Sequence, residues 1–531
     1  MLTSFGLVQC ASIAGAIEDN TERVLALISR YAKLDMLVFP EMVLAGYPPE
    51  DLLFQSNMPE RIHQALEKIA AHTVGRLVVI GHPLYEEGLC YNALSVLVEG
   101  ARILVYAKRR LPNFGVFDEM RYFTPGTRPG LFSYKGHTFG LMICEDGWFT
   151  EVAQDLKKAG ATVLLQINAS PFTQTRYEER LVEASKRIRE TDLPLLSVYS
   201  VGTQDELIFD GGSFVIDASL CLLAEGAHFE EDCVRGLIEG RGKITSRHAK
   251  FPVMSMIERT YKALVQGVRD YVQHHGFEGV LIGLSGGIDS ALVLAIAVDA
   301  LGPEAVTAVS MPSCYTLEMS VEDAKWEAER LGVEFEVLPI QEVFEAFQHS
   351  LSHLFEGYGP DVTEENLQAR TRGVLLMALS NKWRKLVLTT GNKSELAVGY
   401  STLYGDMAGG YDVLKDVYKT QVYALAHYRN QLSLVIPERV IHRAPTAELA
   451  LNQKDQDILP PYEVLDQILK YYLEDNLDAQ KIIEKGFETR MVNFVIARIQ
   501  QNEYKRRQAP IGPKVSSRAF GRDWRVPVMA G

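Results

Sequence analysis

Cysteine is scarce in this chain: six in 531 residues, with no C-x-x-C pair. Such spacing excludes a disulfide framework and a zinc ribbon, so each thiol has to be judged alone. Positive charge is in deficit as well. Lys and Arg number 54 against 68 Asp and Glu, a net charge of −14 that disfavours a broad nucleic-acid or anionic-membrane surface. No uncharged apolar run approaches the ~18 residues of a membrane helix. The opening MLTSFGLVQCASIAG has neither the basic start nor the long apolar core of a secretory signal. The expected setting is the cytoplasm, with no membrane and no nucleic-acid partner. Internal repeats and low-complexity tracts are missing too, and what remains is an ordinary globular composition, 47% apolar and 23% charged. At about 100–200 residues per domain, such a chain calls for two large domains or three smaller ones.

Short apolar runs recur through the first 235 residues: FGLVQC, DMLVFP, LVVIGHP, ALSVLV, FGLMIC, ATVLLQIN, PLLSVYS and GSFVID. They alternate with helix-like stretches at 20–33, 59–72 and 176–191, the pattern of a layered α/β domain. From Arg235 to Lys250 apolar periodicity fades while Gly, Lys and Arg gather. A linker is predicted over 236–255, between domains at 1–235 and 256–531. After it, an amphipathic helix over 256–274 precedes strands GVLIG, AVTAVSMP, EFEVLPI and KLVLTTGN with helices between them, as in a parallel doubly wound sheet. From about Leu459 the chain reads as helical and ends in a basic tail, YKRRQAPIGPKVSSRAFGRDWRVP.

The stretch GVLIGLSGGIDSALVLAIAVDAL, Gly279 to Leu301, reads as a buried strand, a glycine turn and a helix. That layout aims backbone N–H groups and a helix dipole at one point, which suits phosphate. The lysine of an ordinary phosphate loop is missing. In its place stands Asp289, a carboxylate that would repel phosphate unless a divalent cation such as Mg2+ lay between them. A loop that grips pyrophosphate beside a metal suits cleavage between the α and β phosphates, which makes an adenylate.

The spelling S-G-G-x-D-S resembles the pyrophosphate loop of the N-type ATP pyrophosphatases. ENLQARTRG, LVLTTGNKSELAVGYSTLYGDMAGG, LKDVYKTQV, APTAEL and LPPYEVLD extend the likeness over most of 256–531, which resembles the NAD synthetases. The resemblance implies a Rossmann-like sheet and places Ser285, Gly286, Gly287, Ile288, Asp289, Ser290, Thr390, Lys419 and Thr446 on ATP. It also places Asp289 and Glu395 on Mg2+, and Asn366, Arg370, Glu395 and Lys505 on deamido-NAD. A homo-oligomer built on a synthetase-domain dimer is implied as well. One departure stands out: Leu403 and Gly410 occupy positions where ammonia-dependent members carry a lysine and an aspartate.

In the first half, FGLMICEDGWF puts Cys144 directly after an apolar strand, where a strand-to-helix turn would present the thiol. A nucleophilic cysteine needs a base and a positive group for its oxyanion. DMLVFPEMVLAGYPPEDL offers Glu41 after one strand, and VYAKRRLPNFGVFDEMRYF offers Lys108 after another. The three stretches resemble the Glu-Lys-Cys constellation of the nitrilase superfamily, an α-β-β-α sandwich. LPNFGVFDE and NASPF resemble the glutaminase domain of glutamine-dependent NAD synthetases. On that likeness Glu41 is the general base, Lys108 stabilises the oxyanion, Cys144 forms a glutamyl thioester, and Phe114, Ser170 and Arg176 bind glutamine. Glu119 is an accessory carboxylate or a surface residue. The other cysteines read as buried or incidental.

A Cys-His pair through His137 is the rival chemistry within this half. For the whole chain the alternatives are another amidotransferase of the loop superfamily, such as one aminating a nucleobase, and a nucleotide-binding protein whose catalysis has lapsed.

Overall fold

The structure, a computed structural model, describes residues 2–246, 248, 253–451 and 453–529. The backbone divides into two units, Met1–Met254 and Ser255–Gly531.

In the first unit, two sheets each present an apolar face. The seven-stranded sheet runs in the order Lys243–Ser246, Asp232–Glu239, Thr3–Gln9, Met36–Val38, Leu77–Glu86, Leu89–Val98 and Ala101–Ala107. The six-stranded sheet runs Leu222–Glu225, Phe214–Ile216, Leu195–Tyr199, Val163–Asn168, His137–Ile143 and Gly130–Tyr134. Phe5, Leu7, Val79 and Leu94 of one sheet share a core with Leu141, Leu165 and Val198 of the other. The outer faces are covered by amphipathic helices, Ile17–Arg30 and Met58–Ala70 on the first sheet and Thr150–Lys158 and Arg176–Thr191 on the second. The result is the expected α-β-β-α sandwich.

The span predicted as a linker, 236–255, carries the end of the strand Asp232–Glu239, which pairs with Thr3–Gln9, and a further strand, Lys243–Ser246. An edge strand buries little: in Lys243–Ser246 only Ile244 is buried, so the sequence there shows no period.

In the second unit five parallel strands lie in the order Glu334–Val337, Val306–Ser310, Val280–Gly283, Leu386–Thr389 and Tyr411–Asp412. The chain builds outward on one side of Val280–Gly283 and then returns to the other. The topological switch point therefore falls between Val280–Gly283 and Leu386–Thr389, where doubly wound sheets hold ligands. The helix Ile288–Leu301 is apolar almost all round because it packs among Met256–His275, Glu318–Leu331 and Lys419–Leu432. Helices Tyr462–Leu473 and Thr489–Gln501 share a core with the short helix Lys393–Val398, which carries Glu395.

Part of the basic tail is folded in. Lys514 pairs with Asp523 at 2.9 Å, and Asp416 accepts the N–H groups of Val515 (2.8 Å) and Ser516 (2.6 Å). Among the described residues no helix is long and apolar enough to cross a membrane.

Candidate active sites in the two units

Glu41, Lys108 and Cys144 each follow the C-terminal end of a strand: Met36–Val38, Ala101–Ala107 and His137–Ile143. The turn holding Glu41 fits only because residue 81 is glycine. A Cβ there would lie 2.5 Å from Met42 N and Pro40 O. Lys108 Nζ is 2.8 Å from Glu41 Oε1 and 2.9 Å from Glu119 Oε1, with all three side chains buried. Glu119 is thus part of this cluster and not a surface residue.

Three groups that sequence reasoning missed complete the setting. Asn92 Nδ2 donates to Glu41 Oε1 at 2.7 Å, Ala169 N–H donates to Glu41 Oε2 at 2.7 Å, and the Tyr47 hydroxyl donates to Glu119 Oε1 at 2.8 Å.

Burial disfavours the Lys108 ammonium, but Glu119 and Glu41 outweigh it and hold its pKa well above the usual lysine value. Burial pushes Glu119 up to about 7 against the pull of Lys108, with Glu41 adding to the rise. Burial and Glu41 push the Cys144 thiol well above its ordinary value. The resting cysteine is therefore neutral, and attack requires a base to take its proton as it reacts. Cys144 has φ 44°, in the left-handed region, and opens a tight turn over Cys144–Trp148. Its carbonyl accepts Gln166 Nε2 at 2.8 Å. His137 stands at the opposite end of the seven-residue strand His137–Ile143, roughly 20 Å of extended chain from Cys144, which removes the Cys-His alternative.

Of the residues expected to bind glutamine, Ser170 is buried, and its carbonyl accepts Arg180 Nη2 at 2.7 Å. Arg176 opens the helix Arg176–Thr191, lies 5.4 Å from the Trp148 ring centroid and acts electrostatically on Glu145, the neighbour of Cys144. Phe114 is exposed and meets Phe117 edge-on, with ring centroids 5.6 Å apart.

In the second unit the loop Ser285–Gly287 leaves its strand at the switch point and feeds the helix Ile288–Leu301. Ser290 Oγ donates to Gly287 O at 3.0 Å and lies 3.1 Å from Ser285 Oγ, which keeps the loop tight. Gly286 has φ 78°, and a Cβ there would stand 2.2 Å from Ser320 O. Gly286→Ala is therefore expected to lower pyrophosphate release from ATP by roughly a hundredfold, the scale of a misplaced reactive group. A pyrophosphate assay checks this.

Ser285, Asp289, Thr390, Glu395, Lys419 and Thr446 line one cavity. Lys419 Nζ lies 2.5 Å from Asp289 Oδ2 and 2.9 Å from Glu395 Oε1. Two carboxylates that converge on one ammonium define a point that also fits a hard cation. Among the described residues no three His, Cys, Asp or Glu side chains gather as a metal site. A cation at this point would have only these two protein carboxylates. Burial and Asp289 push Glu395 up to about 8, against Lys419.

Three of the four residues expected to meet the dinucleotide gather on the turn Gly399–Leu403, while the fourth, Glu395, faces Lys419. Asn366 Oδ1 accepts the Thr402 hydroxyl at 2.7 Å, Arg370 Nε donates to Leu403 O at 3.2 Å, and Lys505 Nζ donates to Gly399 O and Ser401 O, both at 2.8 Å. Leu403 packs on an apolar cluster, and a Cβ at Gly410 would stand 2.2 Å from Leu386 Cδ1, so the tip of that leucine would have to move. Two unforeseen carboxylates, Asp406 and Asp412, line the cavity instead, pushed by burial up to about 6 and about 7.

A family model for carbon-nitrogen hydrolases matches residues 5–239, and one for NAD synthase matches 260–509. A glutamine-dependent NAD(+) synthetase of Acinetobacter baylyi is 45% identical over 99% of this chain and 98% of its own. One from Aquifex aeolicus is 44% identical over 98% of both. The solved structure of a glutamine-dependent NAD+ synthetase from Acinetobacter baumannii, in complex with ADP, superposes with a TM-score of 0.82 at 43% identity, over 99% of this chain and 98% of that one.

Proposed function

The chain belongs to the family of glutamine-dependent NAD(+) synthetases, ATP-dependent carbon-nitrogen ligases, and from that premise we propose how its residues divide the reaction. The first unit hydrolyses glutamine to glutamate and ammonia. The second adenylates deamido-NAD with ATP, and ammonia then displaces AMP to give NAD. The observation that carries this reading is the pair of sites in one chain: Lys108 held between Glu41 and Glu119 beside Cys144, and a lysine-free phosphate loop whose Asp289 converges with Glu395.

In the first site Glu41 takes the Cys144 proton as Sγ attacks the carboxamide carbon, and the Lys108 ammonium faces the oxyanion. Glu41 returns that proton to the amide nitrogen so that ammonia departs, and water activated by the same carboxylate then hydrolyses the thioester to glutamate and the free thiol. Arg176 suits the α-carboxylate of glutamine, and Ser170 and Phe114 complete that pocket.

In the second site the nicotinate carboxylate attacks the α-phosphorus. The backbone N–H groups of Ser285–Ser290 hold the departing pyrophosphate, Thr390 and Thr446 hold the nucleotide, and Lys419 is released from the carboxylates to face phosphate. Asn366, Arg370 and Lys505 grip the dinucleotide. Mg2+ held by Asp289 and Glu395 would neutralise charge on the leaving pyrophosphate.

The cytoplasm suits the substrates. A homo-oligomer built on the second unit is supported by the exposed apolar side chains Val374, Met377 and Tyr404, which share one shallow cavity.

The test is NAD and AMP formation from deamido-NAD and Mg-ATP, with glutamine and ammonium in parallel. Equal amounts of NAD and AMP from both sources are expected. Folded protein that forms neither product with either source would sink the reading.

A further inference from the structure

Asp146 is fully buried two residues after Cys144, and both its carboxylate oxygens are engaged. Oδ1 accepts the backbone N–H groups of Arg109 at 3.0 Å and Arg110 at 2.9 Å, the residues that follow Lys108. Oδ2 accepts the Tyr106 hydroxyl at 2.8 Å and the N–H of Ile143 at 3.0 Å. Tyr106 precedes Lys108 by two positions, and Ile143 is the residue before Cys144. One carboxylate therefore bridges the strand end that carries the lysine and the strand end that carries the cysteine.

That bridge matters because the two ends belong to different sheets. Lys108 Nζ is held by Glu41 and Glu119, and the backbone of Cys144 is held in the left-handed region by its own turn. The distance between ammonium and sulfur then depends on how far apart the two strand ends stand. An oxyanion donor works only within a few tenths of an ångström of its contact distance, so this spacing is a catalytic variable.

We propose that Asp146 is a positioning residue of the glutaminase, a brace that sets Lys108 against Cys144 without touching the substrate. The inference rests on the glutaminase reading given above. It also accounts for the choice of a carboxylate: an ionised Asp is acceptor-only and can take all four donors. Asn offers one acceptor oxygen and turns its NH2 toward two N–H or O–H groups.

The test compares full-length Asp146→Asn, Tyr106→Phe and Cys144→Ala. It measures kcat and KM for glutamine, NAD formation with ammonium, thermal unfolding, and the pH profile of Cys144 alkylation by iodoacetamide. Asp146→Asn should lower glutamine kcat by roughly a hundredfold, the size of one lost oxyanion donor. Its KM should stay within about threefold, its alkylation profile should shift as Lys108 moves from the sulfur, and ammonium-supported synthesis should not change. Tyr106→Phe removes one of the four donors and should lower kcat by a smaller factor with KM unchanged. A glutamine kcat within twofold of wild type in folded Asp146→Asn overturns the brace. So does a loss shared equally by the ammonium reaction. If Asp146→Asn does not fold, a wild-type kcat in Tyr106→Phe overturns it. Glutamine use by Cys144→Ala would instead overturn the glutaminase reading itself.

Discussion

Asp289→Asn is expected to lower NAD formation by roughly a thousandfold with glutamine and with ammonium alike, since it removes one of the two carboxylates proposed to hold the cation that offsets charge on the leaving pyrophosphate. The loss with ammonium is the informative half, because it places the defect in the second unit. The pairing at the site explains why activity falls and folding does not. Asp289 and Glu395 both lie in hydrogen-bond reach of the Lys419 ammonium, and burial pushes Glu395 up to about 8, so a cation bound there displaces a proton as well as the lysine. In the Asn variant Glu395 alone remains in reach of Lys419, and the point where two carboxylates converge is lost. The buried lysine still keeps a partner, and the 3–5 kcal/mol typical of stranding a buried charge is not incurred. Lys419→Met makes the contrast, since it leaves two half-buried carboxylates facing each other and should lower the melting temperature. Pyrophosphate release and thermal unfolding of the two variants measure both effects. Normal turnover by Asp289→Asn with ammonium would refute the metal role of this carboxylate.

Elements that bury a full stripe or both faces were legible from their period. The helix read at 176–191 is Arg176–Thr191, and the one read at 256–274 is Met256–His275. Two edge strands were not: Gly130–Tyr134 and Lys243–Ser246 are half open, so solvent-facing side chains blur the alternation. The same division runs through the sites. Glu41, Lys108, Cys144 and the Ser285–Ser290 loop were legible because each ends an apolar run. Their supports were hidden because they arrive by register. Asn92 reaches Glu41 only because Ala93 pairs with Ala107, which sets Asn92 opposite Lys108. Asp412 reaches the cavity that Asp289 and Lys419 line only because it pairs with Thr389 across the sheet. The sequence context of Glu119, a polar loop, suits catalysis and surface alike; only the fold buries it.

The second large effect belongs to Cys144→Ala, which should abolish glutamine-dependent NAD formation, by about 10^4-fold or more on the scale of a lost nucleophile, and leave the ammonium reaction intact. Folding should survive for reasons visible at the site. The left-handed backbone at φ 44° costs any non-glycine residue much the same, so Ala adds no new strain. Only a sulfur atom is lost from the packing, and the buried ions keep their pairs, Lys108 still lying between Glu41 and Glu119. Glu41→Gln is a harsher experiment because it unbalances that trio as well as removing the base. A pH profile sharpens the distinction. Free ammonia is a small fraction of ammonium near neutral pH, so the ammonium-supported rate should climb steadily toward alkaline pH in both wild type and variant. The glutamine-supported rate, present only in wild type, should not follow that climb, because the nitrogen is released as ammonia from a buried site in which burial pushes Glu119 up to about 7. A variant that still uses glutamine would show that the amide is cleaved elsewhere, and the buried Glu-Lys-Cys cluster would need another substrate.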